Sequence, residues 1–121
     1  MQHNTILIVE DDPVLRADTV MRLEDAGMAV VERADADEAL GFLLEHSGTV
    51  SAVLTDVNMP GHSDGVHLAE MISRHWPHIG VVVTSGATRP LRELPASVHF
   101  IPKPWHTEQI VAAMQGMVEA A

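Results

Sequence analysis

The stretch Ile6-Leu7-Ile8-Val9-Glu10-Asp11-Asp12-Pro13 decides how the rest of the chain is read. Four consecutive apolar residues without polar alternation have the pattern of a short strand covered on both faces. The run breaks into three acids, and Asp12-Pro13 then offers an acidic N-cap followed by proline at the first helical position, where its missing N–H costs nothing. Strand, acidic turn and helix start are thus packed into one short segment. Further apolar runs follow at residues 29–31, 52–54, 79–83 and 98–101, most of them rich in Val and Ile.

Helical segments lie between these runs. After the first, Val14, Ala17, Val20 and Met21 share one face at ~100° per residue, with Leu15 and Leu23 outside it, and Gly27 is the expected stop. After the second, Asp35 with Glu38 resembles a capping box, and the helix is expected to reach about His46, before Gly48. After the third, Leu68, Met71, Ile72 and His75 follow i, i+3, i+4, i+7 up to Pro77. Near the end, Ile110, Ala113, Met114 and Met117 repeat that spacing, and both stripes read as core. Strands alternating with helices imply an α/β fold with a parallel sheet and right-handed crossovers, in which ligands gather beyond the carboxyl ends of the strands.

The chain has 121 residues, 46% of them hydrophobic, which suits one domain over residues 1–121. Its formal net charge is −10 at pH 7. Such a chain is repelled by phosphate backbones and anionic lipid, so its expected partners are proteins or cations rather than nucleic acid or membrane. It contains no cysteine, which removes disulfides, thiolate metal sites and cysteine nucleophiles and suits a reducing cytoplasm. The Met1-Gln2-His3-Asn4 start lacks the basic region of a signal peptide, and no apolar run approaches the roughly 20 residues of a membrane span. A cytoplasmic location is expected.

The chemistry sits at the strand ends. The first strand ends in Glu10-Asp11-Asp12, and the third in Thr55-Asp56 before Val57-Asn58-Met59-Pro60-Gly61. If those strands are neighbours, Glu10, Asp11 and Asp56 converge, and each carboxylate pair repels by about 1 to 4 kcal/mol at effective dielectrics of 80 to 20. Such a cluster needs a cation or a proton. The fourth run ends in Thr84-Ser85-Gly86, and the fifth leads into Lys103 between Pro102 and Pro104. Three carboxylates, a hydroxyl and an ammonium suit an oxygen-ligated divalent cation such as Mg²⁺ and a carboxylate nucleophile for phosphoryl transfer.

On these residues the sequence resembles the receiver domain of two-component response regulators over essentially its whole length. The carriers are Ile6-Leu7-Ile8-Val9-Glu10-Asp11, Asp56-Val57-Asn58-Met59-Pro60-Gly61, Asp64-Gly65, Thr84-Ser85-Gly86, and Phe100 three residues before Lys103-Pro104. Each is weak alone; together, in this order and spacing, they are specific. The resemblance implies a flavodoxin-like three-layer sandwich with a five-stranded parallel sheet of order 2-1-3-4-5 and helices on both faces. It implies that Asp56 accepts a phosphoryl group from a sensor histidine kinase or a histidine phosphotransfer protein, in a reaction dependent on Mg²⁺ or Mn²⁺. Asp11, Asp56 and the backbone carbonyl of Asn58 would bind the ion, with Glu10 acting through a coordinated water. Lys103 would pair with Asp56 or its phosphoryl group, Thr84 would reorient toward a phosphoryl oxygen, and Phe100 would be an aromatic switch. The Lys103-Pro104 bond is expected to be cis.

Other readings stand beside these. Asp12 lies one place past the matching acidic pair and reads as a helix N-cap rather than a ligand. Trp105 reads as an anchor for the last helix. The eight histidines, His3, His46, His62, His67, His75, His78, His99 and His106, show no ligand spacing repeated within one helix and are expected to be exposed or semi-exposed; His62 alone lies in the loop after Asp56. Only 18 residues separate Thr84 from Lys103, and Pro90 and Pro95 interrupt them. The helix that the family places between its fourth and fifth strands is therefore expected to be short or absent over residues 87–96, with partner recognition either unconventional or shifted to the first and last helices. One domain filling the chain is expected to leave output to another polypeptide, with downstream target and oligomeric state open. Two alternatives remain: a receiver-like interaction module that does not cycle phosphate, and a Mg²⁺-dependent aspartyl phosphatase. The latter lacks a second carboxylate two residues after Asp56, where Asn58 stands.

Overall fold

The computed structural model describes residues 4–57, 64–85 and 94–120. Its elements run β1 (Thr5–Val9), α1 (Pro13–Asp25), β2 (Ala29–Arg33), α2 (Ala36–His46), a 3-10 turn at Ser47–Thr49, β3 (Val50–Asp56), α3 (Gly65–His75), β4 (Gly80–Ser85), β5 (Val98–Pro102) and α4 (Thr107–Ala120). The strands form one parallel sheet in the order β2-β1-β3-β4-β5, the flavodoxin-like arrangement expected from the resemblance.

Two cores explain why the central strands do not alternate. Leu7, Val9, Val53, Val81 and Val83 point to one face and pack with Ala39 and Leu43 of α2 and Leu68 and Ile72 of α3. Ile6, Ile8, Ala52, Leu54 and Val82 point to the other and pack with Leu23 of α1 and Ile110 and Met114 of α4. β1, β3 and β4 are therefore buried on both sides, while the edge strands β2 and β5 are partly exposed.

The caps form as the sequence suggests. Asp12 accepts from the Val14 and Leu15 amides, with Pro13 at the first helical position, and Asp35 accepts from Glu38 N at 2.8 Å. Gly27 ends α1 at φ +90, a conformation open to glycine.

The packing face of α1 differs from the expected one. Val14 and Met21 are 76% and 55% exposed, whereas Leu23, outside the expected stripe, is 1% exposed. The inward side carries Arg16, Thr19, Val20 and Leu23, nearly opposite Val14, Ala17 and Met21. Two polar contacts set this phase: Arg16 donates from Nη1 to the Glu10 carbonyl at 2.8 Å and from Nε to Glu32 at 3.0 Å. In α3, Leu68 and Ile72 are buried as expected, but His75 at the end of that stripe is exposed. The histidines of the described residues, His46, His67, His75, His78, His99 and His106, are all exposed.

The region expected to hold a short helix or none falls mostly on residues 86–93, outside the described residues; Leu94 to Ser97 are not helical. Among the described residues no helix is long and apolar enough to cross a membrane.

Candidate functional site

Strand register gathers the polar residues at one end of the sheet. Val9 lies opposite Thr55, Asp56 opposite Thr84, and Ser85 opposite Pro102. The residues at and just after the ends of β1, β3, β4 and β5 therefore meet. Main-chain hydrogen bonds extend the ladders past the strands: Glu10 N donates to Arg33 O at 3.1 Å, Val57 N to Thr84 O at 2.9 Å, and Lys103 N to Ser85 O at 2.8 Å.

Lys103 is the centre of the cluster. Its Nζ donates to Asp56 Oδ2 at 2.8 Å and to Glu10 Oε1 at 3.3 Å. The side chains of Glu10 and Asp56 are 11% and 13% exposed, so this ammonium joins two nearly buried carboxylates. The other Glu10 oxygen accepts from Asp12 N at 3.1 Å. The Lys103–Pro104 peptide bond is cis, as expected.

Burial raises the pKa of Glu10 above the usual glutamate range, and the Asp56 charge and a hydrogen bond with Asp11 push the same way. The Asp12 amide and Lys103 oppose them without cancelling the effect. For Lys103, burial would favour the neutral amine, but the Asp56 hydrogen bond and the two carboxylate charges outweigh it and raise its pKa. The lysine is thus held as a cation while one of its carboxylate neighbours is disfavoured as an anion. The site has more negative charge than one lysine compensates.

Thr84 lies across the ladder from Asp56, 3% exposed, and its Oγ1 has no hydrogen-bond partner. A buried hydroxyl left in this way costs about 1–3 kcal/mol, so it is an available donor on the residue paired with Asp56. A cavity of about 430 Å³, bordered by Glu10, Asp56, Thr84 and Lys103, opens between α1 and Trp105.

The other expected site residues are placed as follows. Asp11 is exposed beside Glu10. Asp12 is the α1 N-cap. Phe100, half-buried, pairs with Val83 and packs against the core under α2 and α3. Trp105 packs against the core under α1 and α4, in keeping with an anchor for the last helix. Asn58 and His62 lie outside the described residues. Among the described residues no group of three or more His, Cys, Asp or Glu lies close enough to hold a metal ion; the Glu10 and Asp56 carboxylates are bridged by Lys103, and Asp11 hydrogen-bonds Glu10.

Two residues that shape the site were assigned no role from sequence. Gly65 brings the start of α3 against the end of β3, donating from its N to Val57 O at 3.0 Å. A Cβ there would stand 2.0 Å from the Asp56 carbonyl oxygen. The adjacent Asp64-Gly65 pair was the available signal, since glycine before a helix permits close backbone approach. Arg16 was the second, and its spacing of four from Asp12 gave no hint of a contact with the Glu10 carbonyl.

Comparison with known proteins agrees with the fold. A family model for the response regulator receiver domain matches residues 6–115. The chain is 34% identical over 119 residues to the sensor kinase CckA of Brucella abortus, covering 95% of this chain but 12% of that protein. It is 31% identical over 120 residues to the response regulator receiver protein CpdR of the same organism, covering 96% of this chain and 98% of that one. A crystal structure of a response regulator receiver domain protein from Clostridium thermocellum superposes with a TM-score of 0.87 at 20% identity, covering 96% of this chain and 94% of that one, a likeness of fold.

Proposed function

The chain belongs to the response regulator receiver domain family, phosphoacceptor domains of two-component and phosphorelay systems that signal through protein contacts, and on that premise we propose that Asp56 takes the phosphoryl group. The observation that carries the assignment is the Lys103 ammonium, 2.8 Å from Asp56 Oδ2 and held there by a loop pinned to Ser85. A carboxylate oxygen of Asp56 attacks the phosphorus of a phosphohistidine or small acyl phosphate. The donor's bond to phosphorus breaks as the new O–P bond forms, and the leaving group departs with its electron pair, an acyl phosphate's as a free carboxylate and a phosphohistidine's as an imidazole nitrogen that takes a proton from solvent. Lys103 offsets charge on the equatorial oxygens, and the unpartnered Thr84 hydroxyl supplies a donor to one of them. Receiver domains of this kind are phosphoacceptors rather than enzymes turning over a separate substrate.

The donor set supports a hard divalent cation, Mg²⁺ or Mn²⁺. Glu10 and Asp56 contribute carboxylate oxygens bridged by the single Lys103 ammonium, and Asp11 stands beside Glu10. In our reading Asp11, Asp56 and the Asn58 carbonyl hold the ion and Glu10 acts through water. When bound, the ion neutralises charge on the phosphoryl oxygens. Phe100 is read as the residue that carries the change at Thr84 toward the β5 surface. A sensor histidine kinase or phosphotransfer protein is the proposed donor, supported by the likeness to the sensor kinase. Exposed Val14, Leu15 and Met21 on α1 give such a protein an apolar surface beside the site.

Incubation with acetyl phosphate and Mg²⁺ should add one phosphoryl group per chain, and Asp56→Asn or removal of Mg²⁺ should abolish labelling. Equal labelling of Asp56→Asn would show the assignment to be wrong.

A further inference from the structure

Arg16 lies outside the set of residues that would touch the phosphoryl group, yet it is tied to Glu10 of the site on one side and to β2 on the other. It sits on the inward side of α1 with its side chain 20% exposed. Its Nη1 donates to the Glu10 carbonyl at 2.8 Å, and its Nε donates to Glu32 Oε1 at 3.0 Å. Glu32 is on β2, directly opposite Ile8 of β1, so the arginine is anchored to the strand beside the one it steadies.

The carbonyl it holds belongs to the peptide plane joining Glu10 to Asp11. That plane is rigid, so fixing its oxygen fixes the direction in which the Asp11 main chain leaves the strand. The Glu10 amide is already pinned to Arg33 O at 3.1 Å, and the Asp12 amide donates to the Glu10 carboxylate at 3.1 Å. Asp11 itself is exposed, and its side chain starts from the main chain that this peptide carries, beside the Glu10 carboxylate it hydrogen-bonds. A guanidinium suits this task because its planar fork engages a carbonyl and a carboxylate at once in fixed geometry, which a lysine ammonium does not reproduce.

We propose that Arg16, steadied by Glu32, is a positioning residue for divalent-cation binding: by clamping the Glu10–Asp11 peptide it presents the acidic pair to the ion without touching it. This rests on the reading of Glu10, Asp11 and Asp56 as the cation site. The clamp has a signature that separates it from simple charge. A cation beside an acidic site repels a second cation, so on charge alone removing Arg16 tightens divalent binding, and replacing it by lysine changes nothing. A clamp gives the opposite outcome in both cases.

The test is calorimetric titration of the full chain with MgCl₂ for wild type, Arg16→Met, Arg16→Lys and Asp56→Asn, with thermal melts to identify the folded temperature range. Both Arg16 variants should bind Mg²⁺ about tenfold more weakly, as is usual when a group supporting a metal ligand is lost. In Arg16→Lys without metal, the Asp11 and Asp12 amide resonances should shift. Wild-type affinity in Arg16→Lys overturns the clamp, as does affinity equal to or above wild type in Arg16→Met. Failure of the site reading shows separately: wild type would bind no Mg²⁺, or Asp56→Asn would bind it as tightly as wild type, and the clamp falls with that reading.

Discussion

At Glu10 and Gly65 the cost of assembling the site can be read residue by residue. Folded Glu10 binds its proton more tightly than an unfolded glutamate, chiefly because it is buried. Between the ordinary glutamate pKa and this raised value the native state carries more protons than the unfolded state, so stability falls as pH rises through that window. Lys103 does not mask the effect. Its pKa is raised, so its contribution is fully present below the usual lysine pKa and is lost only as pH rises through the raised value. Glu10→Gln removes the charge but keeps one acceptor oxygen where the carboxylate has two, so its NH2 must face either the Asp12 amide or Lys103. In metal-free protein it should lose this acid-side slope of stability against pH; a slope unchanged from wild type in pH-dependent melts would count against Glu10 as its source. Gly65→Ala sets a Cβ against the Asp56 carbonyl, which must shift. It should cost about 1–3 kcal/mol in denaturant melts, as overpacking does, and slow labelling by acetyl phosphate, whereas wild-type values in both would show that the two backbones can separate freely.

Among the elements, strands were legible where burial was two-sided, and α1 was not legible in phase. Residues 6–9, 52–54 and 79–83 are apolar because β1, β3 and β4 are covered on both faces, and such runs announce themselves without an alignment. In α1, Val14, Ala17 and Met21 of the expected stripe face outward while its fourth member, Val20, packs inward with Leu23, a rotation fixed also by the Arg16 bonds to the Glu10 carbonyl and Glu32. That contact joins α1 to β2 and to the turn after β1, and no periodicity within one helix reveals it. Gly65 had a visible motif but a role that appears only when α3 meets β3. The packing gives a direct contrast. Leu23→Ala should destabilise by about 2–5 kcal/mol as a buried truncation, and Met21→Ser should stay within about 0.5 kcal/mol. Chemical denaturation reads both, and comparable losses would place Met21 in the core after all. In the labelling assay, Met21→Ser should leave transfer from acetyl phosphate unchanged and weaken transfer from a phosphodonor protein that docks on α1.

Over the whole molecule, the alternation of strands and helices implied the parallel α/β class, the family resemblance supplied the sheet order, and the residues that end each strand then made Glu10, Asp56, Thr84 and Lys103 neighbours. The net charge of −10 acquires a local meaning at the site, where one lysine faces two buried carboxylates. A ligand that binds only the folded state stabilises it by mass action, by about 2.7 kcal/mol at a hundredfold excess over its Kd. Mg²⁺ should therefore raise the melting temperature of wild type by several degrees relative to NaCl at matched ionic strength, with most of that gain lost in Asp56→Asn. A gain preserved in Asp56→Asn would move the ion elsewhere. The central claim, that Asp56 receives the phosphoryl group, is tested most directly by mapping the modified residue. After Mg²⁺-dependent labelling, borohydride reduction converts an aspartyl phosphate to homoserine, and peptide mass spectrometry locates it. Homoserine at position 56 is the expected result; homoserine at position 11 or 12, or label retained on a histidine, would contradict it.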